Sequence, residues 1–361
     1  KKRKHLSLRV SMSEKSTATV NQSDQVIGFI GLGKIGYALA RNIITKSSTN
    51  DKTTTQTAIH YDINEEISTQ FAKEVPQSKA ASSPEEVASS CDVLFTALPN
   101  DAILLSAVFG PSKKEEDSGG IHNALRPSSI HVSCSTVSPT TSRIIASAHA
   151  KRSIGFVAAP IFARPDGLAL GHATIPLSSS HPPLLAQIQP LLQRTATKVQ
   201  PFEEKDAGAA NVVKLAGNFL IASAIESMSE AFALVEQQGL NREAVHTLFS
   251  ETIFDCLIYK GYGQRVATRD HAPYPDAHFA LELGKKDVDL VRAAAEEVGV
   301  KMPVAEVLGK RFEEALEIKG RGDLDWSAIG LSVSEDAGVG VEKYEEYCRR
   351  VDPKLDWTPP T

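Results

Sequence analysis

The chain has 361 residues, 42% of them hydrophobic, 23% charged and 6% aromatic, enough for two domains with a sizeable core and too rich in Val, Ile, Leu and Ala for a disordered chain. The four cysteines, Cys91, Cys134, Cys256 and Cys348, lie far apart with no CxxC spacing; this speaks against a disulfide framework or zinc module and fits a reducing compartment. Residues 1–23 carry six bases and one acid, +5 against a total of −5, which leaves −10 for the rest; an acidic body has no electrostatic footprint for nucleic acid.

No run of about 18 uninterrupted apolar residues is present, so no membrane span is expected. Residues 1–24 read as a basic, polar tail. The chain opens on Lys rather than Met, as a fragment or a processed form would. Its KKRK cluster resembles a nuclear-import or anion-binding signal, although a solvated tail upstream of Met12 is the plainer reading. A cytoplasmic protein is expected, with mitochondrial and nuclear destinations as the alternatives that the basic tail raises.

From Val26 onward, strand-like and helix-like stretches alternate. Val26–Ile30 reads as a strand, Ile35–Ile44 as a helix, Ala58–Asp62 as a strand and Glu65–Glu74 as a helix. Asp92–Leu98 and Ile130–Cys134 are further strands, and Pro139–Ala150 a helix. Gly155–Ala159, Ala173–Ser178 and Thr197–Phe202 are later strands. Such alternation predicts a parallel α/β sheet. Two polar stretches, Lys46–Thr57 and Pro111–Gly120, cannot support packing and read as surface loops. Beyond Lys205 only helical patterns remain: a long helix from Asp206, its N-cap, to Gln238, then Arg242–Phe249, Ala277–Val298 and Pro303–Lys319. The expected organisation is a tail over 1–24, an α/β domain over 25–204, an all-helical domain over 205–350 and a loose tail over 351–361.

The chemistry begins at Gly31-Leu32-Gly33-Lys34-Ile35-Gly36. A lone GxGxxG is a weak signal, but here a strand precedes it and a helix opens through it. Gly31 permits the turn, Gly33 lets backbone approach a pyrophosphate, and Gly36 lets helix pack on strand. A glycine-rich turn without ligand is the competing reading. Asp62 closes the second strand 26 residues past Gly36, the polar insertion accounting for the excess. A carboxylate there accepts from a ribose 2′-OH and repels a 2′-phosphate, which favours NAD over NADP. An ordinary turn Asp before the next helix remains the alternative.

On the long helix, Asn211, Lys214 and Asn218 share one face among apolar neighbours. A lysine there either snorkels to water or faces a functional cavity. Beside a dinucleotide site it reads as a general acid/base toward a carbonyl oxygen, its pKa lowered by burial. Tyr259, Tyr262, His271 and Tyr274 fall in a Gly/Pro-rich stretch, Lys260–His278, read as a substrate-covering loop or as a plain interhelical connection. The ten histidines show no HxxxH spacing, and no metal is expected.

With FIGLGKIG at 29–36, YDIN at 61–64, ALPN at 97–100, CSTVSP at 134–139, GAANVVKLAGN at 208–218, KKDVDL at 285–290 and GDLDWSAI at 322–329, the chain from Val26 to Gly338 resembles the β-hydroxyacid dehydrogenases. That family includes 3-hydroxyisobutyrate dehydrogenases and has imine reductases as near relatives. The resemblance implies a Rossmann-type domain joined by a long helix to an all-helical domain, with the site between them. It implies a homodimer, with small residues Gly208, Ala209, Ala216 and Ala222 facing the second subunit. It places the cofactor on Gly31, Leu32, Gly33, Ile35 and Gly36, on Leu98-Pro99-Asn100, on Thr136 and on Lys286. It makes Lys214 catalytic and Ser135 and Asn218 substrate-binding.

One segment departs from the family pattern. Where acid-type members carry a Ser-Gly-Gly that holds the substrate carboxylate, this chain has Phe162-Ala163-Arg164. The two glycines that allow close backbone approach are gone, and a bulky ring and a cation have arrived. Arg164 either binds an anionic group or pairs with Asp166 at the surface. The expected activity is NAD(P)-dependent hydride transfer on a small carbonyl or hydroxyacid substrate. The alternatives are an imine reductase and a non-catalytic dinucleotide-binding or chromatin-associated protein, the latter opposed by Lys214.

Overall fold

The computed structural model describes residues 25–46, 57–110, 119–272, 277–318 and 320–340. The basic tail, most of both polar insertions, Tyr274 and the chain beyond 340 lie outside these described residues.

The first part runs β1 (Ile27–Ile30), α1 (Lys34–Thr45), β2 (Ala58–Tyr61), α2 (Glu65–Glu74), β3 (Ser78–Ala80), α3 (Pro84–Ser90), β4 (Val93–Thr96), α4 (Asp101–Phe109) and α5 (Ile121–Ala124). It continues with β5 (Ile130–Ser133), α6 (Pro139–Lys151), β6 (Gly155–Ala158), α7 (Pro165–Leu170), β7 (Ala173–Ser178), α8 (Pro183–Leu192) and β8 (Ala196–Phe202). The eight strands form one sheet in the order β3-β2-β1-β4-β5-β6-β7-β8. Strands β1, β4 and β5 are buried throughout, as central strands covered by helices on both faces must be. One departure from an all-parallel sheet occurs: β7 runs antiparallel to β6, and β8 follows it in parallel. Chain order reverses between β1 and β4, so a crevice opens past their C-terminal ends, the usual ligand position in an open α/β sheet.

The second part is helical: α9 (Ala209–Gln237), α10 (Arg242–Ser250), α11 (Leu257–Thr268), α12 (Leu281–Glu297), α13 (Pro303–Glu317) and α14 (Ile329–Asp336). By length and hydropathy α9 is apolar enough to cross a membrane. It packs instead against β7, α6 and the helices α10 to α14. Phe232, Phe312 and the fully enclosed Trp326 centre the helical core.

Several boundaries differ from the sequence reading, three of them with a clear physical cause. Helix α9 starts at Ala209 with Gly208 as its cap. Asp206 is spent before it, gripping the Arg143 guanidinium through both oxygens and accepting from the Gly208 N–H. The stretch read as a loop from Lys260 is helical to Thr268, with Tyr262 and Val266 turned into the core. Helix α12 starts at Leu281 because Ala280 is bridged to Asp325.

Candidate active site

A cavity of about 1510 Å³ lies between the crevice and the helical part. Its lining combines the segments after β1, β2, β4, β5 and β6 with side chains of α9, α11 and α12.

At the glycine loop, each glycine has a different reason. Gly31 has φ +87°, and a Cβ there would sit 2.5 Å from the Ala97 carbonyl oxygen. A Cβ on Gly36 would fall 1.9 Å from the Gly31 carbonyl oxygen. A Cβ on Gly33 would meet nothing within 4 Å, so its surface faces open cavity. Helix α1 is also left for a ligand: its cap Gly33 offers no side-chain acceptor, and its first turn holds no acid. Helices α2, α3 and α4 are capped by Asn64, Ser83 and Asn100 and carry acids in their first turns. An uncapped, acid-free helix start beside an open glycine suits a pyrophosphate.

Asp62 lines the cavity and already has backbone duties. Its Oδ2 accepts from the Leu32 N–H at 2.6 Å and its Oδ1 from the Asn64 N–H at 2.8 Å. The turn role and the loop-facing role therefore coexist; each oxygen retains a lone pair for a ribose hydroxyl. The Leu32 side chain is in the core, so Leu32 serves through its N–H. Asn100 caps α4 by accepting from the Ile103 N–H. Neither Leu32 nor Asn100 lines the cavity, whereas Ile35, Leu98, Pro99, Ser135 and Thr136 do.

Lys286 reaches across from α12. Its Nζ donates to the Pro99 carbonyl at 3.0 Å and the Thr136 carbonyl at 2.8 Å, clamping the two loops on the cofactor side. Ser135 Oγ accepts from the Leu98 N–H, tying those loops to each other. Asn211 does not line the cavity. It accepts from Ser142 Oγ at 2.8 Å and anchors α9 to α6.

Lys214 and Asn218, one helical turn apart, point into the cavity. Lys214 Nζ donates to Asn218 Oδ1 at 3.0 Å and stands 4.2 Å from the centre of the Phe162 ring. Phe162 reaches this place because residue 217 is glycine: a Cβ there would lie 2.5 Å from its ring atoms. Burial lowers the Lys214 pKa from 10.5 to about 8; Asp287 opposes the shift and Lys286 adds to it. Asn218 Nδ2 donates to Asp287 Oδ2 at 2.5 Å. Asp287, almost fully enclosed, also lies 3.0 Å from Lys286. A catalytic-type lysine, an amide, a carboxylate and the loop clamp thus form one chain of contacts.

Phe162, Ala163 and Arg164 all line the cavity. Arg164 also touches Asp166 at 3.3 Å, the pairing that one of its two readings expected. Sequence reading missed Asp287, although it adjoins Lys286, and gave no site role to Ile221, Leu257, His278 or Trp326. The last four come from separate elements and carry no local signal.

A family model described as the NAD binding domain of 6-phosphogluconate dehydrogenase matches residues 26–203. One described as the NAD-binding of NADP-dependent 3-hydroxyisobutyrate dehydrogenase matches residues 208–331. The chain is 33% identical to the uncharacterized oxidoreductase YfjR of Bacillus subtilis (strain 168), over 84% of this chain and 98% of that protein. It is 27% identical to 2-(hydroxymethyl)glutarate dehydrogenase of Eubacterium barkeri, over 87% and 97%. The crystal structure of a 3-hydroxyisobutyrate dehydrogenase from Salmonella typhimurium superposes with a TM-score of 0.72 at 23% identity, covering 86% of this chain and all of that one.

Proposed function

This chain belongs to the β-hydroxyacid dehydrogenase family of NAD(P)-dependent oxidoreductases, and from that premise we propose that Lys214 is its general acid/base on a small carbonyl or hydroxy substrate. The observation that carries the reading is the buried Lys214–Asn218 pair facing the cavity beside the cofactor loops. A nicotinamide dinucleotide would be held by the α1 start, Gly33, Asp62, the Leu98-Pro99 loop and Thr136, and would supply or accept the hydride. In the reducing direction the Lys214 ammonium donates a proton to the carbonyl oxygen as charge develops there. In the oxidising direction the neutral amine accepts the hydroxyl proton. Asn218 orients the amine through its Oδ1, and Asp287 fixes which way that amide points. Phe162 walls the amine from water, which keeps its proton affinity near working pH.

An imine substrate is the second reading, since Phe162 stands at the serine position of that Ser-Gly-Gly pattern and adds an aromatic wall. Initial rates with NADH and NADPH against aldehydes, hydroxyacids and cyclic imines decide between the two, read at the nicotinamide absorbance. Turnover of aldehydes supports the proposal; turnover of imines alone overturns it.

The active unit is a homodimer. Gly208 and Ala222 are spent inside the chain, against Pro139 and in the helical core. Val212, Ala216 and Leu220 instead form an exposed stripe at i, i+4 and i+8 of α9, suited to a second copy.

A further inference from the structure

Two lysines cross the cavity in opposite directions. Lys286 reaches from α12 to the Pro99 and Thr136 carbonyls at 3.0 and 2.8 Å. Lys34, the first residue of α1, reaches the other way: its Nζ donates at 2.9 Å to the carbonyl of Ala277, 243 positions later in the chain. Both Lys34 and Ala277 line the cavity. A cation in the first turn of a helix opposes the macrodipole, and α2, α3 and α4 place acids there instead. Lys34 therefore sits where its charge weakens α1, and the charge-assisted hydrogen bond across the cavity offsets that cost.

The receiving end is rigid. The backbone N–H groups of His278 and Phe279 both donate to Oδ2 of Asp325, at 3.0 and 3.4 Å, and Asp325 is fully buried. The Trp326 backbone N–H donates to the Phe279 carbonyl at 2.8 Å, and the two rings meet edge to face with centroids 5.0 Å apart. Ala280 is bridged to Asp325, and α12 starts at the next residue. A pull on the Ala277 carbonyl is thus passed through a pinned segment to the start of α12, the helix that carries Lys286 and Asp287.

We propose that Lys34 is a positioning residue: with Lys286 it forms a pair of opposed straps that hold the helical part down on the cofactor loops, and the Lys34 strap opens whenever a dinucleotide enters or leaves. This rests on the oxidoreductase reading above. Lys286 holds the loops after β4 and β5, whereas Lys34 holds from the glycine loop itself. The helical part is therefore fixed at two separate points along the crevice and cannot rock about one. Each strap is one ammonium on backbone carbonyls of the other part, a contact that breaks and re-forms without unfolding either part.

The test starts from the cofactor-free protein. Trp357→Phe leaves Trp326 as the one tryptophan of the chain, and Trp326, 2% exposed, lines the cavity beside Phe279. In that background Lys34→Met raises acrylamide quenching of Trp326 several-fold. Lys34→Gln, one bond short, does the same, and Lys34→Arg, which keeps a cationic donor, stays at the wild-type value. Stopped-flow binding of NADH then separates a strap from a phosphate contact. Removing a strap speeds association and release alike, several-fold each, and Kd moves less than either rate. Removing a direct contact to the cofactor phosphates slows association and speeds release. Unchanged quenching in both Lys34→Met and Lys34→Gln, or the slow-on, fast-off pattern, overturns the proposal. A wild type that binds neither NADH nor NADPH overturns the oxidoreductase reading, while the quenching comparison still decides for or against the strap.

Discussion

Asp287 accepts a hydrogen bond from Asn218 Nδ2 while its sequence neighbour Lys286 grips the cofactor loops. One turn of α12 therefore couples loop position to the orientation of the amide that holds Lys214. Asp287 also raises the Lys214 pKa against burial. Asp287→Asn removes that charge and permits the Asn218 amide to flip. The expected result is a lower kcat with the alkaline limb of carbonyl reduction moved to lower pH. An unchanged pH profile would show that Asp287 does not act through Lys214.

Lys214→Met is isosteric enough to preserve the α9 packing and removes the proton donor. It lowers kcat by about 10²- to 10⁴-fold, the span for a general acid/base, and leaves cofactor affinity near wild type. Cofactor titration by fluorescence separates the two effects, and loss of both would mean a structural role.

The Lys214 pKa of about 8 sets the sign of the pH dependence. Reduction needs the ammonium, so its kcat/KM is full below that value and falls as pH rises through it. Oxidation needs the free amine and rises over the same window. Profiles for both directions, measured on one enzyme preparation, should mirror each other; parallel profiles would exclude Lys214 as the shared group.

Asp62 faces the cavity while accepting from the Leu32 N–H. The wild type should favour NADH over NADPH, because a 2′-phosphate would meet a carboxylate. Asp62→Ser should shift the kcat/KM ratio toward NADPH by about tenfold or more. It should also weaken both cofactors, since the glycine loop loses its acceptor. A wild type that already prefers NADPH contradicts this placement.

A chain of buried imidazoles runs behind the site: His122 Nδ1 to His149 Nδ1 at 2.9 Å, His149 Nε2 to His131 Nδ1 at 3.1 Å, and His131 Nε2 to Thr96 Oγ1 at 2.9 Å. Burial holds His131 down to about 3 and His149 well below 6.5. Both are protonated more readily in the unfolded chain, so stability is lost as pH falls below 6.5. The loss is about 1.4 kcal/mol per pH unit for each histidine kept neutral. Urea midpoints between pH 7 and 5 should show this slope, and His131→Gln should flatten it.

The exposed stripe on α9 should carry the dimer contact. Leu220, 66% exposed, is the largest apolar side chain on it. Leu220→Glu should shift the species seen by light scattering from dimer to monomer. A monomeric wild type would refute the assignment.

The dinucleotide end was legible in the sequence because its signals are local. Gly31, Gly33 and Gly36 answer to backbone geometry within six residues, and strand-then-helix hydrophobic patterning surrounds them. The Lys214–Asn218 pair was legible for the same reason, as helical spacing alone puts them on one face. Short amphipathic elements such as β3, α3, α8 and α14 were not, because three to ten residues hold too little periodicity to stand out from turns. The antiparallel turn of β7 was also invisible, since patterning reports burial and not direction. Only tertiary structure brought Asp287 to Asn218, Arg164 to Gly261 and His278 to the same cavity. The first two are contacts between residues 69 and 97 positions apart, and side-chain chemistry at such separations leaves no trace in any local window. What the substrate end recognises is therefore decided by packing between the two parts, whereas what the cofactor end recognises is written in a few short local segments.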